Sequence, residues 1–479
     1  MLTPGAVIIG GGITGLSAAY EFAKAGRPAI LLEPRERLGG VIETETVEGC
    51  VLEGGPDSFL SAKPAGLELI SELGLGSQVI GSNDDSRVTY LVRGGQLVPL
   101  PDGLMMMVPT KVMPLVRSSL LGWWTKARMG LEYFRRPPAA PLADRSVADF
   151  IRDHYGQETV DYLAEPLLSG VYGGSVERLS VRSVLSRFAE LEGRYGSLTR
   201  GVLAARRLRL KGRATANGAA PLFQTLKGGL AQLTRELETR IRGRIDVRRA
   251  AAEGVERTET GFRVRAGGEA IETSSLILAT PAWQAGRLLR GVDANLARTL
   301  EGIDYSSSMT VALGFRRTDC GPLPPGFGFL VPARERQTMV ACTFVGAKFP
   351  YRVPEDMVLM RCFAGGAGQE AVLDLDDGEV LKRIRGELQE LLGWTAAPAF
   401  TRIARWPRSM AQYTVGHELR LGFIQNRLKE LPGLCLAGNA YDGIGIPDCI
   451  RTGRAAARQA LARLAPAAAQ AGHESPPAD

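Results

Sequence analysis

Apolar and polar positions follow two different periods along this chain, and the changes from one to the other mark out its elements. Residues 6–10, AVIIG, and residues 29–33, AILLE, are short continuous apolar runs. Bounded by turn residues, such runs read as buried parallel strands. Between them residues 16–25, LSAAYEFAKA, carry apolar side chains at helical spacing and stop at Gly26. Strand, helix and strand within about thirty residues make one βαβ unit.

From about residue 95 to 210 the period is helical, through LMMMVPTKVMPLVRSSLLGWWTKARMGLEYFRR and VADFIRDHYGQETVDYLAEPLLSGVYGG. Residues 201–220 become small and polar, which reads as a mobile connection. Alternation of the β type returns after residue 240, in IDVRRA, GFRVRAGG and SSLILAT. Residues 309–315, 327–332, 338–345 and 356–363 read as strands of a second, more antiparallel sheet. Residues 378–392 read as a helix, and 434–438 followed by 447–464 as strand then helix. The last fifteen residues, rich in Ala, Pro and Gln, read as a disordered tail. No internal repeat is present. The pattern is α/β, α+β overall: a Rossmann-type domain, a mixed-sheet domain and a helical insertion.

At 479 residues the chain exceeds one hydrophobic core, so two or three domains are expected. Lys and Arg number 58 against 51 Asp and Glu, a net charge of +7, yet no run of five like charges occurs. Nucleic acid is therefore the weakest of the partners that a basic balance allows. The six cysteines are scattered with no C-x-x-C, which reads as free thiols in a reducing cytosol. Only three histidines occur, so no metal site is expected. MLTPGAVIIGGG has no basic segment ahead of its apolar run, and a membrane-spanning helix is not expected. The expectation is a cytoplasmic protein.

Gly10, Gly12 and Gly15 form G-x-G-x-x-G at the first strand-to-helix turn, with Ile13 and Thr14 inside it. A side chain at Gly12 would keep a pyrophosphate from the backbone, and the helix N-terminus offers free N–H donors. Glu33 ends the next strand, where its carboxylate can accept from ribose hydroxyls and disfavours a 2′-phosphate. Arg37, Gly39 and Gly40 then complete E-x-x-x-R-x-G-G. A nicotinamide dinucleotide has no need of this second glycine pair. FAD, whose chain continues past the pyrophosphate, needs further close backbone approach and a cation there. Near the C-terminus, Gly438, Asn439, Gly445, Ile446 and Pro447 lead into a helix whose N-terminus can face the flavin pyrimidine edge. That places flavin segments at both ends of the chain.

These motifs, with EGGPDSFL, EPLLSGVYGG, LKGGL, LILATPA, GFGFLVP, RWPRSMAQYTVGH and AGNAYDGIGIPDCI, resemble the porphyrinogen oxidases of haem synthesis. These belong to the flavin amine oxidase superfamily, and the resemblance runs in order over residues 5–460. It implies non-covalent FAD, and Gly55, Pro56, Asp57, Ser58, Val247, Ala279 and Trp406 as further cofactor-binding residues. The implied segments are 1–85, 211–290 and 413–464 for the FAD-binding domain, and 291–412 for the substrate domain. Residues 86–210 hold a substrate-domain strand and a helical lid, and 465–479 the tail.

The resemblance also implies the chemistry: a porphyrinogen loses six electrons in three hydride transfers to flavin N5, and molecular oxygen reoxidises the flavin. A ferrochelatase is the implied downstream partner. Two branches exist, taking coproporphyrinogen III or protoporphyrinogen IX. Asp57, where plant-type enzymes carry Asn, together with Lys63, SMAQYTVGH and GIGIPDCI, sits closer to the coproporphyrinogen branch. Arg87 falls where the family binds a substrate propionate, and Lys63 is a second such cation. Phe327, Gly328, Phe329 and Leu330 match the positions that sandwich the ring, and Gly170 is a further implied substrate-binding residue. Simple core packing explains Phe327 and Phe329 as well. Asp57 is the nearest acidic group for a general base. The segment 104–136 mixes Met and Trp with Lys111, Arg117, Lys126, Arg128, Arg135 and Arg136. It resembles a membrane-binding surface, or equally a plain helical lid. An amine oxidase, a carotenoid desaturase and a non-turning tetrapyrrole carrier remain as alternatives.

Overall fold

A computed structural model of the chain describes residues 5–140, 142–212 and 221–464, with the side chains of 209–212 left aside. The predicted βαβ unit forms as strand β1 (Ala6–Ile9), helix α1 (Ile13–Lys24) and strand β2 (Ala29–Leu32). All eight strand residues are buried, which is why these runs carry no polar alternation. Gly26 takes φ +62°, the left-handed turn that lets the chain leave the helix.

Three further strands from distant parts of the sequence join this pair. The five-stranded parallel sheet runs Asp246–Arg248, β2, β1, Leu276–Leu278 and Leu434–Leu436. α1 and the closing helix Ile446–Leu464 pack together on one face, around Leu16, Phe22, Leu233 and Ile450. The other face is covered by a three-stranded antiparallel layer, Ala252–Thr273, and by the helices after it.

A second sheet has seven strands, in the order Phe400–Ala411, Tyr305–Arg316, Met357–Gly365, Met339–Phe344, Gly328–Leu330, Thr89–Arg93 and Gln96–Pro99. Its neighbours are antiparallel except Gly328–Leu330 beside Thr89–Arg93. One face packs on the helix Asp377–Leu392 through Val311, Leu313, Phe329, Met360, Val380 and Ile384. The other faces the dinucleotide domain. The helical insertion has its own core, including Met107, Phe150, Tyr155, Leu163 and Leu198.

Two sequence expectations change. Residues 96–99, 104–105 and 108–109 are short strands rather than the start of the helical region, because Gln96–Pro99 pairs as a hairpin with Thr89–Arg93. The stretch 201–220 does not begin as a loose connection: its first part continues the helix Leu198–Gly212, seated by Leu198 and Val202 in the insertion core. The remainder of it, like the tail 465–479, lies outside the described residues. No helix among the described residues is long and apolar enough to cross a membrane.

Candidate functional site

The glycine turn is shaped for a pyrophosphate. Gly12 caps α1 with no side-chain acceptor, and no acidic residue lies in the first turn, so the helix's leading N–H groups stay free. A Cβ on Gly12 would face only the Gly40 Cα, 3.9 Å away, across a gap lined by backbone. A Cβ on Gly15 would lie 1.8 Å from the Gly10 carbonyl oxygen, so helix and strand can approach this closely only without it. Gly10 itself has φ +108° and backs onto Ala279, whose oxygen a Cβ would meet at 2.7 Å. Ile13 and Thr14 are buried in the turn, where Gly453 of the closing helix packs against the Thr14 backbone. Glu33 accepts from Gly11 N at 2.7 Å and Arg35 N at 3.1 Å, and Val247 pairs with Leu31 at the sheet edge beside it. Gly12 bridges Gly39, joining the two glycine pairs. The Arg37 guanidinium donates to the carbonyls of Gly40 and Ile42, so it braces the second pair by its own hydrogen bonds.

The segment Gly54–Ser58 is held from the second sheet. The Gly54 carbonyl accepts from Trp406 Nε1 at 2.7 Å and Thr310 Oγ1 at 2.6 Å, and the Gly55 carbonyl accepts from Arg361. A Cβ on Gly55 would fall 1.8 Å from the Val41 oxygen. Asp57 accepts from Lys348 Nζ at 2.9 Å and lies 3.7 Å from Arg361 and 2.6 Å from the Ser58 hydroxyl. Burial opposes its ionisation, but Lys348 and then Arg361 outweigh burial and hold the carboxyl below the usual carboxylate range. A carboxylate pinned by two cations is a poor proton acceptor, which argues against Asp57 as the general base. Beside it, Glu53 and Arg352 form a buried pair at 3.0 Å. Lys348, Arg352 and Arg361 were absent from the sequence candidates. The signal available was a single charge inside an apolar strand, MVLMRCFAG, for Arg361.

At the C-terminal segment Tyr413 donates to the Asn439 carbonyl at 2.8 Å and accepts from Gly443 N at 3.0 Å. Gly438 takes φ +131°. The helix from Ile446 opens with Pro447 and Asp448, and Asp448 accepts from Gly445 N at 3.2 Å. Lys63 Nζ sits 2.5 Å from Asp448 Oδ2, so this ammonium already has a carboxylate partner.

Strand parity sorts the proposed ring-binding residues. Across the second sheet Leu91, Leu330, Ala341, Phe363 and Thr310 form one row, and Thr89, Gly328, Thr343, Arg361 and Ala312 the next. Thr310 and Arg361 bond the Gly54–Gly55 segment, so this face looks at the dinucleotide domain. Phe329 points the other way: it is 1% exposed and meets Phe344 edge-on at 6.1 Å in the opposite core. It is thus a core residue of the sheet's far face, and Phe327, two residues before it, is also buried. Leu330 stands on the dinucleotide side and is half-buried beneath Gly170, where a Cβ would lie 3.6 Å from Leu330 Cδ2. Thr343 and Phe363, also half-buried on this face, were not among the sequence candidates. Arg87 is exposed just before Thr89, with no ion pair among the described residues.

The family model for flavin containing amine oxidoreductases matches residues 13–461. The coproporphyrinogen III oxidase of Bacillus subtilis is 32% identical over 96% of this chain and 98% of its own length. The chain belongs to the flavin-containing amine oxidoreductases, among their porphyrinogen oxidases. A second relative, the coproporphyrinogen III oxidase of Staphylococcus aureus, is 31% identical over 97% of this chain and 100% of its own. A crystal structure described as a candidate protoporphyrinogen oxidase, from Exiguobacterium sp. 255-15, superposes with a TM-score of 0.84 at 29% identity. It covers 96% of this chain and 99% of that one.

Members of this family carry flavin, and the cofactor is FAD. The residues fit it: a backbone-lined gap at Gly12 and Gly40, uncapped α1 donors, and a carboxylate at the end of β2. Each is a feature that a dinucleotide with a long extension requires.

Proposed function

We propose that the chain oxidises coproporphyrinogen III to coproporphyrin III, with molecular oxygen as final acceptor and a ferrochelatase downstream. Protoporphyrinogen IX is the alternative substrate. Bound FAD supplies the two-electron acceptor. The observation that carries the reading is the sheet face with half-buried Leu330, Thr343 and Phe363, which looks at the Gly54–Ser58 segment of the dinucleotide domain. A flat macrocycle needs a narrow, largely apolar gap with cations at its rim, and Arg87 stands exposed at the end of this sheet face.

The side chains bind and orient rather than exchange protons. Leu330 and Phe363 offer apolar contact to the ring faces. Arg361 and Trp406 hold Gly54 and Gly55 in place. Asp57 stays ionised between its two cations, so protons released from the ring nitrogens leave to water. The test is direct: chemically reduced coproporphyrinogen III and air, followed by porphyrin fluorescence. Signal growth above the autoxidation blank supports the reading, and none with either porphyrinogen sinks it.

A peripheral membrane contact has its own support. Trp123, Trp124 and Phe134 are 69%, 91% and 75% exposed, beside Lys126 and Arg135. Exposed aromatics among basic side chains suit an anionic interface. Co-sedimentation with anionic but not neutral vesicles, lost in a Trp123→Ser/Trp124→Ser variant, is the expected result.

A further inference from the structure

We propose that Gln412 is a positioning residue for the substrate, and that its neighbour Tyr413 plays the same part for FAD. Together they set the register between the helix that borders the substrate face and the segment that holds the flavin. This rests on the reading that the substrate lies on the sheet face of Leu330, Thr343 and Phe363.

The helix Glu165–Tyr172 carries Gly170, which meets that face at Leu330. It ends on Gly173 at φ +57°, a left-handed cap that breaks the helix off. The last carbonyls of a helix have no partner within it. Here the Gly173 carbonyl accepts from Ala367 N at 2.8 Å, just beyond the strand that carries Phe363. The Tyr172 carbonyl accepts from Gln412 Nε2, also at 2.8 Å. The same amide donates to Ser306 Oγ and to the Met410 carbonyl, each at 3.0 Å, and Gln412 is 5% exposed. A buried amide with its donors engaged has few other positions open to it. The glycines that end SGVYGG are shaped to this contact. A Cβ on Gly174 would run into Gln412 Oε1, and one on Gly173 would lie 2.8 Å from Met410 Sδ. The motifs SGVYGG and SMAQYTVGH are thus two halves of one joint.

Tyr413, the next residue, reaches the flavin segment instead. Its hydroxyl donates to the Asn439 carbonyl at 2.8 Å and accepts from Gly443 N at 3.0 Å. Its own carbonyl accepts from Ser180 N at 2.8 Å, so this stretch is tied to the helical insertion as well. Adjacent side chains on one fixed stretch of backbone therefore hold the helix end and the flavin segment at a set distance from each other.

The experiment uses the full FAD-loaded chain with Gln412→Met, Gly174→Ala, these two combined, Tyr413→Phe and Phe363→Ala. KM and kcat for coproporphyrinogen III, binding of coproporphyrin III and the FAD dissociation constant are measured on each. Gln412→Met keeps the length of the side chain and removes its donors. It should raise KM about five- to tenfold, with kcat within about twofold. Gly174→Ala pushes the amide aside and should do the same, and the double variant should be no worse than the poorer single one. FAD binding should not change in these three. Tyr413→Phe should show the reverse, with FAD held about tenfold more weakly and an unchanged KM at saturating FAD. A merely structural joint would move both readouts together in every variant, and that result overturns the proposal. If Gln412→Met does not fold, Gly174→Ala, a single added methyl, decides. An unchanged KM in Gln412→Met and Gly174→Ala with a raised KM in Phe363→Ala overturns the positioning role and leaves the substrate face standing. Unchanged KM and porphyrin binding in Phe363→Ala remove that face, and the proposal with it.

Discussion

Lys348 holds its ammonium 2.9 Å from Asp57 across 291 positions of sequence, tying the Gly54–Ser58 segment to the substrate sheet. Arg361 lies 3.7 Å from the same Asp57 Oδ2, and the Asp57 side chain is 18% exposed. Removing one member of a buried pair costs more than removing both, because the survivor stays charged and unpartnered. Asp57→Asn should therefore destabilise the protein by about 3 kcal/mol. Asp57→Asn/Lys348→Met should lose less than the sum of the two single variants. Denaturant unfolding of the three variants measures this. A purely additive double variant refutes the coupling. The pH profile of turnover should show no ionisation that Asp57→Asn removes.

FAD is expected to leave the denatured protein. Cys449, the thiol nearest the C-terminal flavin segment, is buried, and burial pushes its pKa up to about 11. It is therefore a poor nucleophile toward a flavin methyl group. Acid precipitation should leave yellow flavin in the supernatant. Gly12→Val fills the backbone gap opposite Gly40 and should give a folded but colourless protein. Yellow Gly12→Val would refute the role of this turn.

His417 makes stability fall in mild acid. The ring is 1% exposed, stacks on Tyr413 at 4.2 Å and has no hydrogen-bond partner on either nitrogen among the described residues. Burial, with a smaller contribution from Arg420, brings its pKa down to about 4 from 6.5. A histidine depressed in the fold is neutral there while the unfolded chain takes up a proton. Stability is then full above about pH 6.5 and is lost as pH falls toward about 4, by up to about 3 kcal/mol. His417→Phe should flatten that part of the stability curve. Because Tyr413 also bonds Asn439 and Gly443, flavin release should track the same acid limb in wild type.

Arg87 is expected to act on binding rather than on chemistry. A charge-assisted contact to a propionate, away from the reacting carbon, is about 1.5–3 kcal/mol. Arg87→Ala should raise KM for coproporphyrinogen III roughly ten- to hundredfold with little change in kcat. A loss of kcat at unchanged KM would instead give Arg87 a part in the chemistry or the fold.

Coproporphyrinogen III should be the better substrate, with protoporphyrinogen IX oxidised measurably. Burying an unpartnered carboxylate costs several kcal/mol, whereas an exposed vinyl loses little. Lys63→Ala should narrow the gap between the two in kcat/KM. The Asp448 partner of Lys63 makes a sharper comparison available. Asp448→Asn frees the ammonium and should widen the gap that Lys63→Ala narrows. Parallel responses of the two variants would mean that Lys63 serves the flavin segment alone.

Contiguous pattern made the dinucleotide half of this protein legible. AVIIG, the glycine turn, Glu33 and the second glycine pair are local, and each arises from what a buried strand or a bound pyrophosphate requires of adjacent residues. The motif resemblance added the substrate class. Sequence alone left Phe327 and Phe329 undecided between ring contact and core, since both belong to one face of a strand whichever way that face looks. Only the pairing of Gly328–Leu330 within seven strands shows that Leu330, with Phe363 and Thr343, faces the dinucleotide domain while Phe329 packs away from it. The same holds for charge. Lys63 and Asp57 read as free groups in the sequence, and their partners Asp448, Lys348 and Arg361 lie hundreds of residues away. The physical reason is that a side chain's role depends on its ionic partner and on the direction of its face. Both are fixed by long-range sheet register and packing, which no local pattern records.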